Sequence, residues 1–451
     1  MPLAPSFSVF RHRAYAHYWA MRQLISATRQ MEAVAIGWQV YDLARKTRTI
    51  EEAALFLGFT GLAQFLPVLF LSLVGGQAAD RFDRKTILLV SYAARICATL
   101  LLLATTAMPT GWALASIYTA ATMFGAVNAF TPAASNSLYP TLVPRSELAS
   151  AIAWNSLGFQ AAAILGPALG GFLYIGGPNV VYATALVMTT AAIVILVTAK
   201  MPKQAPVANA RGVGMVLEGL RFVRDNKTVL GAISLDLIVV LFGGATALLP
   251  IFAREILHVG TEGLGALRAA PAAGAGLVAF ALAVRPLTRM VGPWMLGAVA
   301  IYGVAMLAFA WSTLFWLSLG ALALSGAADM ISVYVRQSLI QFATPDGMRG
   351  RVSSVSFIFI SASNELGEFE SGFAARLLGP VGAVVLGGTV ALATAAAWLK
   401  LFPALSRADR FEDTGDSPDL ETPVLASEPA RLEPRLPEND AERSVSAQKL
   451  S

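Results

Sequence analysis

Long apolar runs separated by short polar segments dominate the chain from residue 15 to residue 402. Each run has about twenty residues or more, enough for a helix to cross a bilayer core of roughly 30 Å. Residues 183–199 are apolar on every face, whereas strands of a membrane barrel would alternate between apolar and polar residues. The pattern therefore predicts helices that span a membrane.

Two groups of six runs divide the chain. Residues 1–200 predict an N-terminal six-helix bundle, and residues 228–402 predict a C-terminal one. Between them, residues 201–227 predict a cytoplasmic linker with an amphipathic helix, because apolar residues recur there at helical spacing. Residues 403–451 are acidic, proline-rich and poor in large apolar groups, which predicts a disordered cytoplasmic tail. The twelve helices are predicted at residues 15–43, 53–79, 86–107, 112–137, 149–175, 180–200, 228–253, 263–284, 293–311, 315–339, 352–378 and 381–402.

The two groups resemble each other when the sequence is shifted by about two hundred residues. Gly166 and Gly171 of the first group then fall on Gly367 and Gly372 of the second. A repeat of six spans keeps the same orientation in the membrane, as in transporters whose halves move about a central site. The predicted fold class is an all-α integral membrane protein of two pseudo-symmetric six-helix bundles.

Positive charges predict the orientation of these helices. Lysine and arginine concentrate in the loops that lie on the same side as both termini, which places both termini in the cytoplasm. Far fewer fall on the outer side. The outer residues by this assignment are Arg45, Lys46, Arg48, Arg254, Arg268 and Arg376.

Composition excludes several classes of protein. Only 14% of the 451 residues are charged and 56% are hydrophobic, whereas a soluble domain carries about 25% charged residues. The net charge of +5 lies mostly in loops, so it is a topology signal rather than a nucleic-acid site. The sole cysteine, Cys97, cannot form an internal disulfide, and no Cys/His metal spacing occurs. We therefore expect no cofactor, no metal and no nucleic-acid partner.

Two further motifs are missing from the sequence. There is no glycine-rich phosphate loop followed by Lys-Ser/Thr, so ATP is not the evident energy source. No Ser/His/Asp grouping stands out either, because the three histidines all lie near helix ends. We expect a secondary transporter and not an enzyme.

The sharpest local signal is the loop between the second and third runs, which reads GQAADRFDRK. A glycine is followed four residues later by Asp-Arg and then by a basic pair. A carboxylate in such a loop can neutralise neighbouring arginines or sit at the positive end of another helix. The residues of this gating motif are Gly76, Asp80, Arg81, Asp83, Arg84 and Lys85.

This loop resembles the signature loop of the major facilitator superfamily in spacing and in its place between spans two and three. The resemblance implies a transporter that alternates between inward-open and outward-open states. It also implies that Asp80 contacts the start of helix eleven, near Ser353, and helps to hold the cytoplasmic side shut when the transporter opens outward. Asp83 stands where the family usually has glycine. The alternative is that the basic residues of the loop only orient the chain.

The fifth run contains LGPALGG, in which small residues allow close helix contact and a proline loosens one turn. The segment resembles the motif of efflux members of the superfamily, although Ala162 replaces a usual glycine and Ala121 stands where drug/proton antiporters commonly carry arginine. The segments EGLRFVR, LFGGATALLP and TPDGMRGRV resemble those of the branch of the superfamily that contains macrolide-efflux proteins and siderophore (enterobactin) exporters. Ordinary glycine-mediated packing is the alternative. The motif residues are Gly166, Pro167, Gly170 and Gly171.

Ionisable residues within membrane spans are costly and usually face a cavity or a partner. Arg29, Glu32, Glu365 and Glu368 are predicted near the midplane, and Glu365 and Glu368 share a helix face while Glu370 is rotated away. Two close carboxylates in a low dielectric do not both ionise easily, so one is expected to bind and release a proton. These five residues form the candidate coupling network. The alternative is a structural charge pair.

In the superfamily, helices one, four, seven and ten line the central cavity. Acidic candidates there are expected to bind a cationic substrate or, alternatively, to be satisfied by Arg336. By this resemblance the candidate cavity residues are Gln30, Trp38, Asn128, Asp236 and Asp329.

These features together predict proton-coupled efflux of a small amphipathic molecule, such as a drug, a macrolide or a siderophore-like compound. The expected partners are the substrate, protons and the lipid bilayer, and the chain is expected to act as a monomer in a bacterial cytoplasmic membrane. An importer of the same fold is the alternative. A membrane sensor or an intramembrane enzyme is a third, although the predicted tail offers no folded output domain and the spans offer no evident nucleophile.

Overall fold

The computed structural model describes residues 7–201, 212–345 and 348–411, and all regular structure within them is helical. Apart from the seventh, the predicted helices are present, with ends that differ by a few residues. The linker helix is also present, while residues 202–211 and 412–451 lie outside the described ranges. The long helices are α1 (Arg13–Arg45), α2 (Ile50–Arg81), α3 (Arg84–Ala104), α4 (Thr110–Leu138), α5 (Leu148–Leu173), α6 (Pro178–Thr198), α7 (Gly212–Asp225), α8 (Lys227–Gly243), α9 (Thr261–Val284), α10 (Val291–Trp311), α11 (Phe315–Ala343) and α12 (Arg349–Leu401).

Ten helices in the described residues are long and apolar enough to cross a membrane. The helix α1 is not among them, because Arg29, Gln30 and Glu32 lie in its middle. The run Ala362–Leu401 counts once, although its backbone breaks at Gly379 (φ 76°, ψ 163°). Gly379 precedes a proline, and glycine adopts this positive φ without the strain of a side chain. The count of twelve spans stays a prediction.

The seventh predicted helix, residues 228–253, is wrong as a continuous helix. The helix α8 ends at Gly243, and Gly244 is extended (φ −73°, ψ 93°). A glycine pair followed by a proline at position 250 weakens helical hydrogen bonding at this point. Short turns follow instead, at Thr246–Leu248, Leu249–Ile251 and Phe252–Ile256. Irregular backbone at membrane depth is tolerated where it is buried in protein or lines a cavity.

Side chains cap the starts of three helices. Thr49 accepts a hydrogen bond from the backbone N–H of Glu52 at the start of α2, and Asn226 accepts one from Val229 at the start of α8. Asp83 caps α3 by accepting from the backbone N–H of Thr86, with 3.2 Å between the atoms. Such caps satisfy backbone donors that have no partner inside the helix. Asp83 therefore has a local structural task that a glycine could not perform.

The residues after α12 return to the start of α10. There Asp409 accepts hydrogen bonds from the Met290 backbone N–H (3.0 Å) and the Arg289 guanidinium (3.3 Å), which lower the pKa of the Asp409 carboxyl. Gly292 donates to the carbonyl of Ala408. Residues 403–411 belong to the predicted tail, yet they form a helical turn at Pro403–Ser406 and this cap.

The first half of the chain (residues 13–198) and the second half (residues 227–401) meet along two helix pairs, α2 with α12 and α5 with α9. Backbones approach closely at both. A methyl group on Gly61 would lie 2.7 Å from the carbonyl oxygen of Glu365, and one on Gly171 would lie 2.3 Å from that of Thr261. Contacts this short leave no room for a side chain. Glycine therefore allows the two halves to close on each other here.

Candidate functional site

A cavity of about 110 Å³ lies between the two halves, and we call it the central cavity. Helices α1, α2, α3 and α4 line it from the first half. The broken segment after α8, together with α9 and α12, lines it from the second half. The lining residues are Arg29, Gln30, Glu32, Ala33, Ile36, Gly37, Leu57, Thr60, Gln64, Arg95, Phe124, Asn128, Ala247, Pro250, Arg268, Glu365 and Glu368.

Six charged side chains line this cavity; Glu32 and Arg95 pair with each other, and the other four come from three helices. Arg29 lies on α1, Arg268 on α9, and Glu365 and Glu368 lie one turn apart on α12. Within the described part of the chain, none of the four forms an ion pair within 4.0 Å. Arg268 makes one long hydrogen bond, 3.4 Å from its Nη1 to the carbonyl oxygen of Ala33. We call these residues the cavity tetrad, and their charges are available to water or to a ligand.

Glu32 differs from the tetrad because its charge is compensated within the first half. Arg95 donates a hydrogen bond to it, and Thr99 Oγ1 donates a second at 2.7 Å to Oε1. The Arg95 guanidinium also lies over the ring of Phe124, 4.8 Å from the centroid. Glu32 and Arg95 are 1% and 3% exposed. A buried charge pair with added hydrogen bonds fits the structural alternative for Glu32.

The motif of small residues in α5 (Gly166, Pro167, Gly170 and Gly171) packs against the stretch of α1 that lines the cavity. A methyl group on Gly166 would meet Gln30, and one on Gly170 would meet the backbone of Met31, so both glycines allow α5 to press on α1. The carbonyl of Pro167 lies against Gly265 of α9. The motif therefore joins α1, α5 and α9 around the cavity wall.

Polar contacts between the halves close one end of the cavity, which we call the sealed end. Tyr41 donates a hydrogen bond to Glu255 at 2.8 Å, and Arg45 approaches the same carboxylate at 3.4 Å. Asp42 pairs with Arg254 at 2.7 Å. The close approach at Gly171 lies toward this end as well, because α5 ends and α9 begins here, whereas Gly61 meets Glu365 at the level of the cavity.

The gating motif lies at the opposite end, which we call the loop end. Two of its basic side chains hold helix ends together: Arg84 donates to the carbonyl of Ser137, and Lys85 donates to those of Val197 and Ala199. Cations are favourable at helix C-termini, where carbonyl groups lack partners.

Asp83 caps the start of α3, and the other three residues of the motif make no such contacts. Asp80 and Arg81 form no hydrogen bond or ion pair with any described residue, and open space lies where Gly76 would carry a side chain. Asp80 therefore makes no polar contact with the described side chains of α12 in this conformation.

Asp236 and Asp329 do not line the central cavity. Asp236 forms a buried ion pair with Arg336, which is the alternative that the sequence left open. Both aspartates line a separate small cavity between α8, α10 and α11, together with Tyr302 and Ser332. The helix α11, which corresponds to predicted helix ten, contributes no residue to the central cavity.

Of the other residues proposed from the sequence, some line the central cavity and some do not. Arg29, Gln30, Glu32, Asn128, Glu365 and Glu368 come together in the central cavity. Trp38 packs beside Tyr174 instead, with ring centroids 6.5 Å apart, and half-buried Glu370 lies outside the lining.

Sequence reasoning missed Arg268, Thr60 and Gln64. Counting loop charges assigns Arg268 to the outer side, but this residue lies two turns inside α9 and faces the cavity. Its position five residues into the apolar run that begins at residue 263 is the available signal, because an arginine so placed needs a cavity or a partner. Thr60 and Gln64 carried no signal that distinguishes them from ordinary polar residues of a span.

Comparison with known proteins agrees with this architecture. A family model described as transmembrane secretion effector matches residues 4–428. The enterobactin exporter EntS of Citrobacter koseri is 26% identical over 378 residues, covering 83% of this chain and 86% of that protein. The EntS of Salmonella choleraesuis is 26% identical over 377 residues, covering 83% and 87%.

Solved structures share the fold at lower identity. A D-xylose-proton symporter superposes with a TM-score of 0.67 at 13% identity, covering 87% of this chain and 98% of that one. A bacterial homologue of the iron transporter ferroportin in an inward-facing state gives a TM-score of 0.65 at 16% identity, covering 86% and 98%. These similarities concern the fold alone.

Proposed function

The chain belongs to the transmembrane secretion effector family of major facilitator transporters, and we propose that it exports a small amphipathic organic molecule in exchange for protons. The observation that carries the proposal is the central cavity, which lies between the two halves, is closed at one end, and contains unpaired charges. The enterobactin exporters that resemble the chain favour export over import. An importer of the same fold is the second candidate, because fold alone does not set direction.

The direction of opening follows if both termini are cytoplasmic. The sealed end then faces outward, and the loop end with the gating motif faces the cytoplasm. The structure would thus represent an inward-open state. The lack of a described partner for Asp80 supports this assignment. By the superfamily resemblance, Asp80 contacts predicted helix eleven, the first part of α12, only when the cytoplasmic side is shut.

Glu365 and Glu368 are the proposed proton-binding residues. Both face the cavity, and neither is neutralised by an ion pair with the described residues. Two carboxylates one turn apart in a site that loses water on closure favour binding of a proton by one of them. Arg29 and Arg268 face the same cavity and would respond to the change in charge. Glu32 is proposed as a structural residue instead, because Arg95 and Thr99 already satisfy it.

We further propose a bacterial cytoplasmic membrane as the location and a monomer as the working unit. The two-bundle division at residues 201–227 is part of the same proposal, since alternating access requires two halves that move against each other. A sensor or an enzyme receives no support from the described lining of the central cavity, whose one hydroxyl, that of Thr60, donates to the carbonyl of Leu57.

The test is accumulation of fluorescent cationic dyes and a macrolide in an efflux-deficient bacterium that expresses the chain, with and without a proton uncoupler. Export predicts lower accumulation that the uncoupler reverses and that Asp80→Asn abolishes at equal protein level. Glu262→Gln, an exposed carboxylate outside the cavity, is the matched control and should transport normally. Higher accumulation than in cells without the protein would contradict export and favour import.

A further inference from the structure

The chain neutralises buried charges elsewhere but leaves those of the cavity tetrad unpaired. Glu32 pairs with Arg95, and Asp236 pairs with Arg336. The tetrad instead presents two guanidinium groups and two carboxylates to one cavity, with no ion pair within 4.0 Å among the described residues. Equal numbers of opposite charges thus face the same space from different helices.

Closure of the cavity would make these unpaired charges costly. Water can solvate them while the cavity is open, but an occluded state excludes much of that water, and a charge left alone in a low dielectric is strongly unfavourable. A ligand that brings both a positive and a negative group would satisfy both pairs on closure. With a neutral ligand, the guanidinium groups and carboxylates of the tetrad could be satisfied only by moving together and pairing with each other across the cavity.

We propose that the substrate is a zwitterionic amphipath, whose cationic group binds Glu365 and Glu368 and whose anionic group binds Arg29 and Arg268. This inference rests on the proposed function and names its substrate class. The rest of the lining supplies apolar contact for the carbon framework, mainly through Ile36, Leu57, Phe124 and Pro250.

The sign of the coupling also requires the cationic group. A cation competes with protons for the same carboxylates, so protonation releases it, which is the requirement of antiport. An anion on Arg29 and Arg268 binds more tightly when the neighbouring carboxylates are protonated, because their negative charge is then lost. Proton and anion would therefore bind together and cross the membrane in the same direction. The positive group therefore couples the substrate to export, and the negative group adds affinity.

The size of the cavity limits what enters it. Its volume of about 110 Å³ is well below the 300–1,000 Å³ typical of a pocket that encloses a whole drug-sized molecule. The site therefore suits a compact charged end, such as an α-amino acid group, on a larger molecule.

Binding of one fluorescent scaffold in four charge states tests the proposal. Nε-dansyl-lysine is a zwitterion, its carboxamide is a cation, its Nα-acetyl derivative is an anion, and the Nα-acetyl carboxamide is neutral. Dansyl fluorescence reports binding to the purified full-length protein at equilibrium, without any need for transport. We expect the zwitterion to bind at least about tenfold more tightly than either singly charged form, and the neutral form to bind most weakly.

Variants assign each charge to its partner. Arg29→Gln with Arg268→Gln should remove the preference for the zwitterion over the cation, and Glu365→Gln with Glu368→Gln should remove the preference over the anion. Arg29→Lys retains the charge and should retain the preference, which separates lost charge from misfolding. Lower pH should weaken binding of the cation and strengthen binding of the anion.

The outcomes separate the two proposals. Equal affinity for the neutral and zwitterionic forms, or no binding of any form at millimolar concentration, overturns the zwitterion inference even if export is observed. The expected order of affinity without any flux would instead contradict the proposed function alone. Displacement of the dansyl probe by lysophosphatidylethanolamine would identify a lipid head group as the source of the zwitterion, and displacement only by soluble amino acids would identify a free solute.

Discussion

Arg254 donates a hydrogen bond to Asp42, with 2.7 Å between Nη1 and Oδ1, and so joins the end of α1 to the broken segment after α8. Glu255 beside it accepts from Tyr41. Both contacts connect the first half of the chain to the second. They exist only while the sealed end is closed, so their free energy contributes to the balance between conformations.

Removal of these contacts should favour opening of the sealed end. An ion pair exposed to this degree contributes about 1 kcal/mol or less, so Arg254→Gln should shift the conformational equilibrium up to about fivefold. Spin labels on exposed Lys46 and Glu262, in a Cys97→Ser background, report the distance between the halves at this end.

The control for this measurement is Arg289→Gln, which breaks the pair with Asp409 at a site remote from the sealed end. It should leave the label distances unchanged. The exchanged pair Asp42→Arg with Arg254→Asp should restore the closed population. An Arg254→Gln distribution identical to that of the unmodified protein would show that the pair does not hold the gate.

The helices were predictable because the membrane requires about twenty apolar residues per span, and this length is visible in any sequence window. The break at Gly244 was not predicted, since the apolar run continues through it and only the backbone geometry differs. Arg268 was misplaced for a related reason: a charge near the predicted end of a span can lie in a loop or face a cavity. The pairing of Glu32 with Arg95 depends on how α1 and α3 pack, which periodicity does not determine.

Gly171 should be intolerant of any side chain. A methyl group there would lie 2.3 Å from the carbonyl oxygen of Thr261, so Gly171→Ala should push α5 from α9 at a cost of about 1–3 kcal/mol in the closed conformation. The label pair on Lys46 and Glu262 should report a larger separation. Gly297→Ala is the matched control, because nothing lies within 4 Å of its added methyl group. Equal separations in both variants would contradict the close-contact role.

Glu32→Gln should destabilise the protein, because it leaves Arg95 buried and without its counter-charge. Breaking a buried pair in this way costs about 3–5 kcal/mol, whereas Glu32→Gln with Arg95→Met should recover much of the loss. The stability of both variants is measured by heating the protein in detergent and quantifying, by size-exclusion chromatography, the fraction that remains folded. A Glu32→Gln protein of normal stability that has lost only its proton dependence would instead assign Glu32 to coupling.

Glu365→Gln with Glu368→Gln should uncouple transport from protons, while exchange of substrate persists at substrate concentrations raised to offset the lost contact with its cationic group. The two glutamine side chains keep the size and polarity of the cavity wall but cannot exchange protons, so substrate uptake should lose its dependence on pH. Proteoliposomes with a pH-sensitive dye inside measure proton movement, and counterflow of labelled substrate measures exchange in the absence of a proton gradient. Counterflow that persists while proton movement is lost separates uncoupling from simple inactivation.

Glu370→Gln is the matched control for that experiment. Glu370 lies on the same helix but outside the lining of the central cavity, so its loss should leave both proton movement and counterflow unchanged. If the Glu365→Gln/Glu368→Gln protein still moves protons against substrate as the unmodified protein does, the carboxylates of the cavity tetrad are not the coupling site. The same measurement on Glu370→Gln would then decide whether the coupling carboxylate of α12 lies outside the central cavity.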